Sequence, residues 1–409
     1  MAYAITLKGV NLSSAGKPVK SVFKVCTHSN LKPAFLVASA NILGFHKRDP
    51  NYQRPKPYPY ETKYYGFWQR CVDRTTWRFD DNTKLIIIEG PPAAGKTELA
   101  KKLAEDFDMK YVGDATMDDR YISKVTGHDF REFDPQLPPN VRSFDEKDFC
   151  KNPTHRNAAI FQVWKYQLRF ARYIDALAHI LSTGQGVVME RAPFTDIAFA
   201  QAMKQSGFMS KQAMYVYNEL RRHTLNLLMR PHLFIYLDIP VKAVKDRIKQ
   251  RDLPHERNSP ALTDKFLTDY EMNCKSYIML HMSNHSDFLM YDWTEGGDVD
   301  VVLEDIEKID FDIHTGTDEK MTDWRLNKEV EWCDMRNMYA DKKLWLLTHF
   351  NCQIFDAPEL VGTGDEDKWM TKFWHHPKRG KYSFGYNADL GDKNILWKSR
   401  LAKYWDVTR

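Results

Sequence analysis

The run Gly90-Pro91-Pro92-Ala93-Ala94-Gly95-Lys96-Thr97 has the spacing G-x-x-x-x-G-K-[ST], and each residue type in it suits the holding of a phosphate chain. Glycines at 90 and 95 let the backbone wrap close to phosphate oxygens while successive N–H groups turn inward at a helix start. Lys96 adds positive charge, and the Thr97 hydroxyl can ligate Mg²⁺. This chemistry describes a site for a nucleoside di- or triphosphate.

Such a loop needs a strand before it and a helix after it. Leu85, Ile86, Ile87 and Ile88 are apolar on both faces of the pleat, which predicts a parallel strand covered by helices. ELAKKLAEDF, after Thr97, has apolar positions at helical spacing. Residues 109–113 predict a second strand ending beside Asp114, and residues 187–189 a third that delivers Glu190 and Arg191 to the carboxyl edge, where open α/β sheets gather reactive groups. Residues 232–238 predict a fourth. Residues 161–181, 193–206, 211–229 and 241–251 read as helices, and 128–154, with DPQLPPN, as loop. Arg247, Lys249 and Arg251 make no single helical face, which predicts a mobile lid closing its cations over phosphates. Each assignment has a plainer rival: Asp114 as a loop carboxylate, Glu190 and Arg191 as a structural ion pair, the lid as a solvated charged helix.

The rest of the chain narrows the context. Hydrophobic content of 43% with 28% charged residues excludes wholesale disorder. Six cysteines without a CxxC pair indicate neither a zinc site nor a disulfide framework. The longest uncharged apolar run, residues 33–45, is too short to span a bilayer. The net charge of +4 is confined to the beginning: residues 1–48 hold seven Lys or Arg and no acid, leaving 52 basic against 55 acidic residues elsewhere. No nucleic-acid partner is therefore indicated. That acid-free, Ser- and Lys-rich stretch predicts a mitochondrial transit peptide over 1–48, with a solvated basic arm as the alternative. Residues 49–83 begin with Pro50, Pro55, Pro57 and Pro59 and read as an extended arm lying on another surface. Residues 313–409 hold seven of the eleven tryptophans, which predicts a docking surface for a partner or, alternatively, packing onto the chain's own core.

The strand with its phosphate loop, Phe161-Gln162, GQGVVMER with its Glu190-Arg191 pair, and RIKQR together resemble the deoxyribonucleoside kinase family over residues 84–312. The resemblance implies an α/β fold of the P-loop NTPase type, with a five-stranded parallel sheet flanked by helices. By position it implies Asp114 as the base for a nucleoside 5′-hydroxyl, Gln162 as reader of the nucleobase, and Glu190 and Arg191 at the metal and phosphate centre. Arg247, Lys249 and Arg251 become lid cations. The implied ligand is a purine nucleotide, ATP, ADP or a deoxynucleotide, with Mg²⁺ on Thr97 and Glu190. Asp114-Ala-Thr-Met departs from the family's Glu-Pro, making the base one methylene shorter, and Ala192 replaces the usual serine.

GKYSFGYNADLGDKNILWK near the C-terminus, STGQGVVMER and Pro254-His255-Glu256 are further similar to the kinase-like accessory subunits of mitochondrial NADH:ubiquinone oxidoreductase, respiratory complex I. This implies a non-redox protein of the mitochondrial matrix, peripheral on the matrix side of the inner membrane. It would contact other complex I subunits through its C-terminal extension and N-terminal arm and assist assembly or stability. No fingerprint for FAD or spacing for an iron–sulfur cluster is seen, in keeping with that role. The rival reading is an active matrix deoxyribonucleoside kinase transferring the γ-phosphate of ATP. A nucleoside monophosphate kinase is weaker, because the Glu190-Arg191 pair and Phe161-Gln162 argue against it.

Overall fold

Leu85 through Glu89 are all buried, as a strand covered on both faces requires. In the computed structural model, which describes residues 4–6, 54–122, 127–139, 141–313 and 318–368, this strand lies inside a six-stranded sheet. The strands are β1 (Ala4–Thr6), β2 (Leu85–Glu89), β3 (Lys110–Val112), β4 (Val187–Glu190), β5 (Leu233–Asp238) and β6 (Asp287–Asp292), in spatial order β1-β6-β5-β2-β4-β3. β2 to β6 are mutually parallel, so the expected five-stranded parallel sheet is present. β1 adds a sixth strand, antiparallel to β6, from within the segment read as a leader. The fifth parallel strand, DFLMYD, was not located from the sequence. Its apolar run, Phe288 to Tyr291 between two aspartates, is too short to tell by periodicity from a buried helix segment.

Register decides where chemistry gathers. Ile88 stands opposite both Glu190 and Ile235, so Glu89, Glu190, Arg191 and Asp238 emerge at one carboxyl edge. The helix Lys96–Asp106 follows β2, and the 26-residue helix Ala158–Thr183 precedes β4. The latter stops at Gly184, whose φ of 77° lets its N–H reach the Ile180 carbonyl at 2.8 Å. A Cβ there would strike the Arg78 carbonyl, so the glycine also admits the N-terminal arm.

The region expected to be loop over 128–154 contains a 3₁₀ turn, Phe130–Gln136, and a short helix, Glu146–Lys151. Asp145 caps that helix reciprocally with Asp148, a box missed because it lies among proline-rich residues. The predicted helices 193–206 and 211–229 are shorter, Ile197–Gln205 and Lys211–Thr224.

The arm and the extension meet each other on the long helix. Tyr58 N–H bonds the Ser182 carbonyl at 3.2 Å, and Tyr65 N–H bonds Asp341 at 2.7 Å on the helix Glu329–Asp341. Fully buried Arg336 of that helix lies 3.8 Å from the Tyr65 ring centroid and pairs with Asp73 at 2.9 Å. Of the two readings of the extension's tryptophans, docking surface or packing onto the chain's own core, the second describes two positions. Trp324 donates to the Arg230 carbonyl at 2.7 Å and lies against His232, and Trp332 is buried and donates to the Leu326 carbonyl. Trp345 remains half exposed, and Trp369, Trp374, Trp397 and Trp405 lie outside the described residues. The arm's helix Phe67–Val72 turns its apolar side outward, with Phe67, Trp68 and Val72 each at least 70% exposed.

Candidate functional site

The loop after β2 closes as the motif requires. Gly90 has φ of 151° and Gly95 of 84°, and a Cβ on Gly90 would meet the Leu237 carbonyl of β5 at 3.0 Å. Gly95 is the N-cap of the helix Lys96–Asp106, so the first helical N–H groups face the loop's hollow. Residues 92–97 line a cleft of 970 Å³ that also includes Asp114, Gln162, Glu190, Arg191, Arg247 and Arg251. Pro91 and Ala93 shape the loop, Ala93 through a left-handed φ of 57°.

Lys96 is buried, and its ammonium donates to the carbonyls of Gly90 at 3.2 Å and Pro91 at 2.7 Å. Burial, and after it the nearby Arg191 charge, pull its pKa down to about 7. Thr97 Oγ1 donates to Glu190 Oε2 at 3.1 Å. These two hard oxygen donors beside a phosphate loop fit Mg²⁺, whose remaining positions would be filled by phosphate oxygens and water. Among the described residues no group of three or more His, Cys, Asp or Glu that could hold a metal is found, and a cation on Thr97 and Glu190 would bind weakly until phosphate oxygens complete its shell.

Asp114 lies just past β3, where the sequence placed it, but it is firmly held. Arg169 Nε and Nη2 each donate to its carboxylate at 2.8 Å, and Arg191 stands 3.7 Å away. Burial alone would raise this carboxyl. Arg169, Lys165 and Arg191 together outweigh burial and hold it well below the ordinary range. Arg169 also pairs with Asp196, which is buried and accepts from Gln162 Nε2 at 2.8 Å and from the Tyr217 hydroxyl. Gln162 therefore lines the cleft as part of a fixed polar chain that runs through Asp196 and Arg169 to Asp114. Sequence reading missed Arg169 and Lys165, although they follow Gln162 at i+7 and i+3, on one helical face. Asp196 carried no local signal.

Arg191 adopts a left-handed φ of 58°, an unusual backbone for a long side chain, and its N–H bonds the Ile88 carbonyl at 3.1 Å. The guanidinium lies 5.7 Å from the Tyr270 ring centroid. Beneath it, burial raises the pKa of Glu89, which accepts from the Ala192 N–H at 2.9 Å and from the Thr195 hydroxyl.

The lid cations have three different fates. Arg247 reaches the Ala94 carbonyl at 3.1 Å and the Trp293 carbonyl at 2.6 Å, bracing the phosphate loop. Arg251 lines the cleft and pairs with Glu256. Lys249 is not brought there: its side chain is 66% exposed and sits 3.7 Å from Asp246. Alternate positions on the helix Val241–Arg251 point apart, so residues 247 and 249 cannot share a face.

With this geometry in view, the chain matches the Deoxynucleoside kinase family over residues 86–331. It is 33% identical over 328 residues to NADH dehydrogenase [ubiquinone] 1 alpha subcomplex subunit 10, mitochondrial, of Bos taurus, covering 80% of this chain and 90% of that one. The Mus musculus protein of the same name is also 33% identical, with 80% and 87% covered. A deoxyguanosine kinase of Dictyostelium discoideum is 27% identical over 237 residues, 58% of this chain and 73% of that one. Among solved structures, a deoxyadenosine kinase from M. mycoides with bound dATP aligns at a TM-score of 0.41 and 12% identity, covering 55% of this chain and 100% of that one.

Proposed function

Because the chain belongs to the deoxynucleoside kinase family, we propose that it serves as an accessory, non-redox subunit of mitochondrial NADH:ubiquinone oxidoreductase, with the kinase fold retained as a nucleotide-binding body. The observation that carries this reading is the reach of the likeness. The kinase pattern spans 246 residues (86 to 331), whereas the likeness to the bovine subunit spans 328, so at least 82 matched residues lie outside it (328 − 246). The shared part thus includes arm or extension, which phosphoryl transfer does not need.

The cleft takes a purine nucleotide, ATP, ADP or a deoxynucleotide, with its phosphates on residues 90–97 and Mg²⁺ on Thr97 and Glu190. The cation neutralises phosphate charge. Lys96 and the helix N-terminus hold the phosphates, Arg247 stiffens the loop, and Gln162 and Arg169 form the wall where a base would lie. Binding of this kind stabilises the native state by mass action. Turnover is disfavoured because Asp114, clamped by Arg169 and held below the ordinary carboxylate range, is a weak proton acceptor. The intact phosphate loop favours a second reading, an active deoxynucleoside kinase.

The protein lies in the matrix, peripheral on the matrix side of the inner membrane, after removal of a leader within residues 1–48, which takes β1 off β6 and leaves the five parallel strands. No helix among the described residues is long and apolar enough to cross a membrane. Docking to neighbouring subunits runs through the arm and the extension, as the outward-facing Phe67, Trp68 and Val72 and the half-exposed Trp345 suggest. Native-gel comigration with NADH dehydrogenase activity tests this role, and a chain that never enters the assembly defeats it. Labelled ATP, Mg²⁺ and a panel of deoxynucleosides test the second reading, with Lys96→Ala as the control.

A further inference from the structure

Tyr111 is the middle residue of β3, opposite Val188 of β4. Its ring leans across Gly113, where a Cβ would lie 2.9 Å from the phenol oxygen and 3.5 Å from Cζ. The side-chain-free residue at 113 is what lets the phenol reach Glu190, donating to Oε1 at 2.5 Å. Oε2 of the same carboxylate accepts from Thr97 Oγ1. The phenol thus occupies one oxygen of the carboxylate whose other oxygen faces Thr97, at the edge of the candidate cation site.

We infer that Tyr111 is a positioning residue that competes with a divalent cation for Glu190: it holds the carboxylate beside Thr97 when no cation is bound and gives up its oxygen when one enters. This rests on the nucleotide-site reading and deepens it. The phenol neutralises no charge, but it satisfies a carboxylate that would otherwise face Thr97 alone. Its displacement sets the cation concentration at which a metal–nucleotide complex forms.

The test uses the full chain in three forms: unaltered, Tyr111→Phe, and Gly113→Ala, whose methyl group crowds the phenol without removing it. ADP binding is measured by calorimetry in EDTA and across a Mg²⁺ titration, and Mn²⁺ binding without nucleotide by electron paramagnetic resonance. Giving up a hydrogen bond to a charged group corresponds to about a tenfold change. The half-saturating Mg²⁺ is therefore expected to fall about tenfold in Tyr111→Phe and to fall in Gly113→Ala, with ADP affinity in EDTA unchanged. Mn²⁺ alone is expected to bind more tightly to both variants. Unaltered cation dependence in both measurements overturns the inference, including when the variants merely melt earlier. If no form binds ADP while Mn²⁺ binding still tightens, the nucleotide reading fails and the competition stands.

Discussion

Arg336 offers the sharpest test of how the two ends of the chain are fastened. Its side chain is completely buried, 3.8 Å from the Tyr65 ring centroid and 4.8 Å from that of Tyr58, and it pairs with Asp73 at 2.9 Å. Arg336→Ala removes a desolvated cation–π contact of about 2 kcal/mol. It also removes a charge-assisted hydrogen bond of about 1.5 kcal/mol, the low end of the range, because Arg78 still pairs with Asp73 at 2.6 Å. The space left by the aliphatic stem adds roughly 1 kcal/mol. The expected loss is about 4.5 kcal/mol, and Arg336→Met should recover the packing share. Urea unfolding followed by tryptophan fluorescence reads the loss, and limited proteolysis should show residues 54–80 cut first. A loss under about 1 kcal/mol with the arm still protected would refute the claim that this one guanidinium clasps arm to extension.

Three further outcomes follow from the same geometry. Burial, and then Lys110, depress His179 to about 4 from its ordinary value near 6.5, so the unfolded chain binds this proton first as pH falls. Stability should be flat above pH 6.5 and decline from there to pH 4 by up to ~3 kcal/mol, and His179→Gln should flatten the slope in acid melts. Lys96→Ala should weaken ADP binding by roughly 30-fold or more, read as a reduced ADP-induced rise in melting temperature. Trp68→Glu, at a position 77% exposed, should leave the isolated chain's stability within about 0.5 kcal/mol yet lower its share in the respiratory assembly on native gels.

The phosphate loop was legible because its constraints are local: an apolar strand, two glycines with positive φ, and a helix with Lys96 and Thr97 at its start. Glu190 and Arg191 were legible because a buried strand ends at them. What the sequence hid was long-range. Asp196 joins Gln162 and Arg169 only through tertiary packing, and Tyr111 reaches Glu190 only because β3 lies beside β4. Asp114 was located correctly, but its clamping by Arg169, 55 residues away, changes what it can do. Lys249 misled because a string of cations does not say which way each one points.

The handshake between the two ends also has a consequence in time. Tyr65 and Asp341 are separated by 276 residues, and Arg70 and Asp334 by 264. A chain emerging amino end first has its arm and its kinase-like body made before the helix Glu329–Asp341 that receives the arm. Tyr58 and Tyr60 can settle early on Ser182 and His179, but Tyr65 and Arg70 wait for Asp341 and Asp334 to arrive. Maturation therefore finishes in a late closure, and only a chain that carries both the arm and the helix Glu329–Asp341 can complete it.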